Sequence, residues 1–173
     1  MNFLNLEYLK NGSEIQKRIF QVLENSQIFQ KLKSYKPILA GTFPIGINID
    51  GSDLDIILET RDLETLKKLL ISEFQDQKQF SINLIEINEV ESLICKFQLG
   101  EFPVELFAQN QPTLLQNAYL HMIKEFEILE NEGDEFRKKI IELKKLGLKT
   151  EPAFAKLLGL SGNPYVELLK YQS

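Results

Sequence analysis

Two aspartates one residue apart, at the head of an otherwise apolar run, constrain this chain more than any other feature. They stand in Ser52-Asp53-Leu54-Asp55-Ile56-Ile57-Leu58. Strand side chains alternate faces with period two, so Asp53 and Asp55 point one way while Leu54 and Ile56 point into a core. Acids are depleted in strands, and two carboxylates on one face repel each other. A hard divalent cation with oxygen ligands, usually magnesium, offsets that repulsion directly. The plain alternative is a turn followed by the solvent face of a half-buried strand.

A glycine-bearing turn, Gly41-Thr42-Phe43-Pro44-Ile45-Gly46, precedes the pair and follows the apolar run Ile38-Leu39-Ala40. Backbone N–H groups and a hydroxyl in such a turn can hold phosphate oxygens. Thr42 could equally only close the turn, Gly46 only permit a backbone conformation forbidden to other residues, and Ser52 only cap locally. A third acid, Glu105, sits between apolar neighbours in Phe102-Pro103-Val104-Glu105-Leu106-Phe107. Alone it is an ordinary strand glutamate; after a loop and a paired acid it completes a set.

Gly41, Thr42, Gly46, Ser52, Asp53 and Asp55, with Glu105 on a later strand, resemble the signature of the nucleotidyltransferase superfamily, the DNA polymerase beta-like group. Thr42 stands where serine is usual, Pro44 where a small residue is usual, and Ile45 where a basic residue is common. The ending Gly147-Leu148-Lys149-Thr150-Glu151-Pro152-Ala153-Phe154-Ala155 looks like a small bacterial branch of that group. The resemblance covers roughly residues 38 to 108. It implies an α+β (mixed α/β) fold, a mixed sheet flanked by helices with a helical C-terminal portion. It also implies a metal-dependent transfer of a nucleoside monophosphate from an NTP to an acceptor hydroxyl. Asp53, Asp55 and Glu105 would then be the catalytic and Mg2+ (or Mn2+) ligands, and Gly41, Thr42, Gly46 and Ser52 the nucleotide-binding residues. The alternative is a catalytically silent nucleotide-binding, regulatory or toxin–antitoxin domain with the same fold. The intact acid set favours the first; Ile45 and the absence of an obvious basic triphosphate clamp favour the second.

Composition narrows the partners. The net charge of −5 over 173 residues argues against a general nucleic-acid coat and favours a small-molecule or protein acceptor over a long nucleic acid. Cys95 is the single cysteine, so no internal disulfide forms; it reads as core filler. The start, Met1-Asn2-Phe3-Leu4-Asn5-Leu6-Glu7, lacks the pattern of a signal peptide, and no run reaches the roughly 18 apolar residues of a membrane span. A cytoplasmic location is the expectation.

Along the chain, the pattern predicts a helix over residues 3–10 with Gly12 as its left-handed cap. A second helix is capped by Ser13, with Ile15, Ile19, Phe20, Val22 and Leu23 as its stripe, and a further turn spans residues 28–32. Strands follow at 38–40 and 53–59, then a helix over 63–74. Strands at 80–87, 92–99 and 102–108 come next, the last two joined by a two-residue Gly100-Glu101 hairpin. Pro103 suggests an edge or bulge at the last strand's start. Pro112 opens a long helix to about residue 131, Gly133-Asp134 breaks it, and a second helix runs to Leu146 before Gly147. Thr150 caps a helix over 151–158, and Pro164 starts a final turn or two. Residues 1–110 read as an α/β core and 111–173 as a helical region packed on it, or the two as one domain.

Other residues read more plainly. A calcium loop with Gly51 at its turn would begin at Gly46 and close at Ile57, neither of which is a ligand. His121, the single histidine, reads as half-buried and structural, with no Cys or second His to build a zinc site. Lys149 and Thr150 read as a helix cap that could also meet a phosphate. The acidic run from Glu125 to Glu135 reads as a solvated helix surface.

Overall fold

The computed structural model describes residues 1–87 and 89–172. It is an α+β structure built on a mixed five-stranded sheet. The strands are β1 (Ile38–Ala40), β2 (Leu54–Glu59), β3 (Ser81–Ile87), β4 (Val90–Leu99) and β5 (Phe102–Gln109). Their order is β1-β2-β5-β4-β3. Only β2 and β5 run parallel; the other neighbours are antiparallel. A parallel pair needs a long crossover, and here helix α4 (Leu63–Phe74) and the β3–β4 hairpin supply it.

Alternation along the strands divides the apolar residues into two cores. Leu54, Ile56 and Leu58 of β2, with Val104, Leu106 and Ala108 of β5, face a core shared with α1 (Glu7–Lys10), α2 (Glu14–Ser26), α3 (Ile28–Lys31) and α4. Phe74 of α4 stacks on Phe97 of β4, ring centroids 4.8 Å apart, which pins that helix to the sheet. On the opposite face Ile38, Ala40 and Ile57 meet α5 (Asn117–Lys145), α6 (Thr150–Leu158) and α7 (Pro164–Lys170). Truncating a fully buried member such as Leu70 or Phe154 to alanine would cost about 2–5 kcal/mol through lost transfer energy and the cavity left behind. No helix among the described residues is long and apolar enough to cross a membrane.

Several local expectations hold for identifiable reasons. Ser13 caps α2 in a reciprocal box with Gln16. Gly133, at φ 78°, interrupts α5. Pro164 occupies the first turn of α7. Leu99 pairs with Phe102 around Gly100-Glu101.

Others are corrected. The first helix covers only residues 7–10 and ends at Asn11 with φ −106°; Gly12 is not left-handed. Asp53 lies just before β2, not in it. β3 begins at Ser81 and β4 already at Val90. The long helix begins at Asn117, after a 3-10 turn over Thr113–Leu115. Lys149, not Thr150, caps α6. β5 is central, and Pro103 is tolerated because the β2 register starts only at Val104.

Candidate functional site

The parallel β2–β5 register places Asp55 directly opposite Glu105. Both belong to the odd-numbered rows that face α5 and α6, across a cleft of about 520 Å³. Gly41, Thr42, Asp55 and Glu105 line its sheet side; His121, Glu125 and Glu151 line its helical side. Asp55 is pushed up to about 7, first by burial and then by the negative charges of Asp53 and Glu105. A carboxyl in that condition exchanges its proton readily for a cation. Asp53, Asp55 and Glu105 all offer oxygen, the donor a hard divalent ion prefers. Asp55 and Glu105 line the cleft and Asp53 does not, and the group of ligand atoms found within 4.8 Å of one another among the described residues is a different one, on the helical wall.

Gly41 is fixed by the same crowding. Its φ is 74°, and a Cβ there would lie 2.1 Å from Asp55 Oδ2. Only glycine lets the backbone approach the carboxylate so closely. The loop beyond it is clamped through its carbonyls. Gln16 Nε2 donates to Phe43 O (2.9 Å) and Pro44 O (3.2 Å). Arg137 donates to Ile45 O, and Lys144 Nζ to Ile47 O at 2.8 Å. The side chains of Phe43, Ile45 and Ile47 are buried, so Ile45 anchors the loop in the core where a basic residue would have reached into solvent. Gly46 adopts φ 69° near Arg137. Ser52 accepts the Ile49 N–H at 3.0 Å, which makes it a turn-closing residue at one end of the loop.

Three features escaped the sequence. Lys96, the β4 partner of Glu105, places its Nζ 2.6 Å from Glu105 Oε2. The hydrogen bond to Glu105 raises the Lys96 pKa. Lys144 is buried beneath the loop, and its pKa is lowered by desolvation against the opposing pull of Glu125, Glu151 and Asp55. Glu125 is 4% exposed, contrary to the expected solvated run. Burial, then Glu151, drives its carboxyl well above the ordinary range. A helical wheel would have found it, because Ala118, Met122, Glu125 and Leu129 share one face.

His121 is also more deeply placed than expected, at 6% exposed. Its Nδ1 has no hydrogen-bond partner, and burial lowers its pKa although Glu151 pulls it up. His121, Glu125 and Glu151 each bring one ligand atom within 4.8 Å of the others. Lys149 is exposed and Thr150 sits in the first turn of α6, on the cleft wall.

The family model described as Domain of unknown function (DUF4269) matches residues 21–171. No curated protein sequence matches the chain. Among solved structures it is similar to the Cid1 poly(U) polymerase with MgGTP bound, at 10% identity and a TM-score of 0.53, over 74% of this chain and 41% of that one. It is similar to the GLD-2/RNP-8 complex at 18% identity and 0.52, over 88% and 61%. The polymerase core of TRAMP, an RNA surveillance complex, gives 14% and 0.53, over 91% and 49%. The fold is thus nucleotidyltransferase-like, and the chain spans about half the length of these structures.

Proposed function

This chain belongs to the DUF4269 family, and we propose that it is a metal-dependent nucleotidyltransferase, moving a nucleoside monophosphate from an NTP to an acceptor hydroxyl. The observation that carries the reading is the placement of Asp55 opposite Glu105, with Asp53 adding its charge to the same point.

In this reading Asp53, Asp55 and Glu105 hold Mg2+ or Mn2+. The chemistry such an ion supplies is charge neutralisation at the phosphates and acidification of the acceptor hydroxyl. The chain's own groups do the rest. Gly41 and Thr42 position the phosphates beside Asp55. Glu105 serves as a ligand of that ion or takes the proton of the acceptor hydroxyl as the hydroxyl oxygen bonds to the α-phosphorus. The bond to the bridging oxygen breaks and pyrophosphate leaves. Catalysis is then positioning and fixed electrostatics, and the loop clamps from Gln16, Arg137 and Lys144 serve that end. Residues 1–110 supply the nucleotide side, and 111–173 close the acceptor side of the cleft. An acidic chain suits a small-molecule or protein acceptor.

The test is transfer from α-labelled NTPs, with Mg2+ or Mn2+, to small-molecule and protein fractions and to RNA ends. The expected result is a labelled product with the parent and none with Asp53→Asn/Asp55→Asn. The Lys96–Glu105 ion pair favours a second reading, in which the chain binds nucleotide without turnover, because Lys96 then fills the role of counter-ion. Nucleotide binding that persists in chelator, without any transfer, would select it.

A further inference from the structure

The helical wall of the cleft holds a second cluster, chemically unlike the first. His121 and Glu125 are four residues apart on α5 and so share one face. Glu151 joins them from the first turn of α6. The three ligand atoms lie within 4.8 Å of one another. We propose that His121, Glu125 and Glu151 form a binding site for a divalent transition-metal cation of the zinc or manganese type, separate from the acids of the sheet.

Two independent observations carry this. The first is the spacing. Metal bonds to imidazole and carboxylate are about 2.0–2.2 Å, so small rotamer adjustments bring the three donors onto one ion. The second is an unmet need. His121 is 6% exposed with Nδ1 unpartnered. A buried polar atom without a partner costs on the order of 1–3 kcal/mol, and native proteins rarely leave one so. Beside it Glu125, 4% exposed, faces Glu151. A buried carboxylate beside a second, partly buried one needs a proton or a cation between them.

Lys144 is the competing positive charge. Its ammonium acts on Glu125 and Glu151 but is tethered to the Ile47 carbonyl at 2.8 Å, so it supports the loop as well as the carboxylates. The edge contact of Tyr165 with the His121 ring, centroids 6.2 Å apart, holds the imidazole plane. One nitrogen and two carboxylate donors suit zinc, manganese or cobalt better than magnesium or calcium, which prefer all-oxygen sets. The site stands on its own residues and not on the role given to Asp53, Asp55 and Glu105.

The experiment uses the full chain carrying Asp53→Asn/Asp55→Asn, stripped with a chelator and titrated with Zn2+ and Co2+ by calorimetry and visible absorption. One tight equivalent is expected, with cobalt bands indicating nitrogen ligation. His121→Gln or Glu151→Gln added to that background lowers the affinity at least about tenfold, the scale of losing even a supporting group at a metal site. Glu151 is only partly buried, so its variant keeps the test usable if His121→Gln fails to fold, which unfolding in chelator reports. Absence of stoichiometric binding, or equal affinity in the folded variants, overturns the proposal. Because Asp53 and Asp55 are neutralised throughout, failure here leaves the transferase reading untouched.

Discussion

Lys96 and Glu105 face each other across the antiparallel β4–β5 pair, with Nζ 2.6 Å from Oε2. Glu105 in turn faces Asp55 across the parallel β2–β5 pair. Glu105 is therefore shared between a lysine on one side and a carboxyl needing a cation on the other. The Lys96 side chain is 55% exposed, so the ion pair adds little to stability, about 0.2–1 kcal/mol.

That sharing makes Lys96 a competitor of the cation. Lys96→Gln is expected to tighten Mn2+ binding by about two- to fivefold, the equivalent of ~0.5–1 kcal/mol, with the unfolding midpoint nearly unchanged. Calorimetric titration of parent and variant checks this; weaker binding in the variant would instead make Lys96 a supporting group of the site.

Asp55 gives the metal-free protein a pH signature. Its folded pKa, about 7, lies above its ordinary 3.8, so the folded state holds this proton more tightly than the unfolded one. Stability from this group is fully present below about pH 4, falls as pH rises, and levels off above about 7, a span on the order of 4 kcal/mol. Asp55→Asn should therefore be more stable than the parent at pH 8 in chelator, by about 2–4 kcal/mol, with the gap shrinking toward pH 4. Urea unfolding of the two proteins at several pH values measures the gap; a constant gap would sink this account of Asp55.

The two glycines at either end of the loop separate crowding from backbone strain. Gly41 and Gly51 have φ 74° and 83°, but a Cβ meets Asp55 Oδ2 at 2.1 Å in the first and nothing within 4 Å in the second. Gly51→Ala should cost only the left-handed penalty, about 1–2 kcal/mol. Gly41→Ala should cost more and also weaken Mn2+ binding, since the carboxylate must move. Equal losses of stability with intact metal binding in both would contradict the close approach.

The loop clamps predict a longer-range effect. Arg137→Met leaves the half-buried Ile45 carbonyl without its donor and should destabilise by about 1–3 kcal/mol. Amide exchange should quicken over residues 42–52 while β2 and β5 stay protected. Unchanged exchange in the loop would show that Gln16 and Lys144 suffice to hold it.

The sequence was most readable where local chemistry decides. The Ser13–Gln16 box, the hairpin at Gly100 and the stop at Gly133 rest on residues a few positions apart. Leu54 and Ile56 enter the core by simple alternation. What stayed hidden depends on distant contacts. Arg137 and Lys144 reach loop carbonyls 92 and 97 residues away, and nothing local marks them. Lys96 meets Glu105 only because β4 pairs with β5. Glu125 was masked by the acidic run around it, although its helical face is apolar. The partners of His121 are two carboxylates, Glu125 on its own helix and Glu151 on the next, and the second is brought to it only by helix packing.

Metal-dependent nucleotide binding at Asp53, Asp55 and Glu105 is the property on which the proposed transfer depends. Thermal unfolding with each nucleoside triphosphate, with and without Mg2+ or Mn2+, tests it most directly beside Asp53→Asn/Asp55→Asn. A ligand that binds only the folded state raises its stability by mass action, about 2.7 kcal/mol at a hundredfold excess over Kd. At least one triphosphate is expected to raise the parent's midpoint only when metal is present, and the double variant to lose this response. A parent that no triphosphate shifts at millimolar concentration, with either metal, would contradict it.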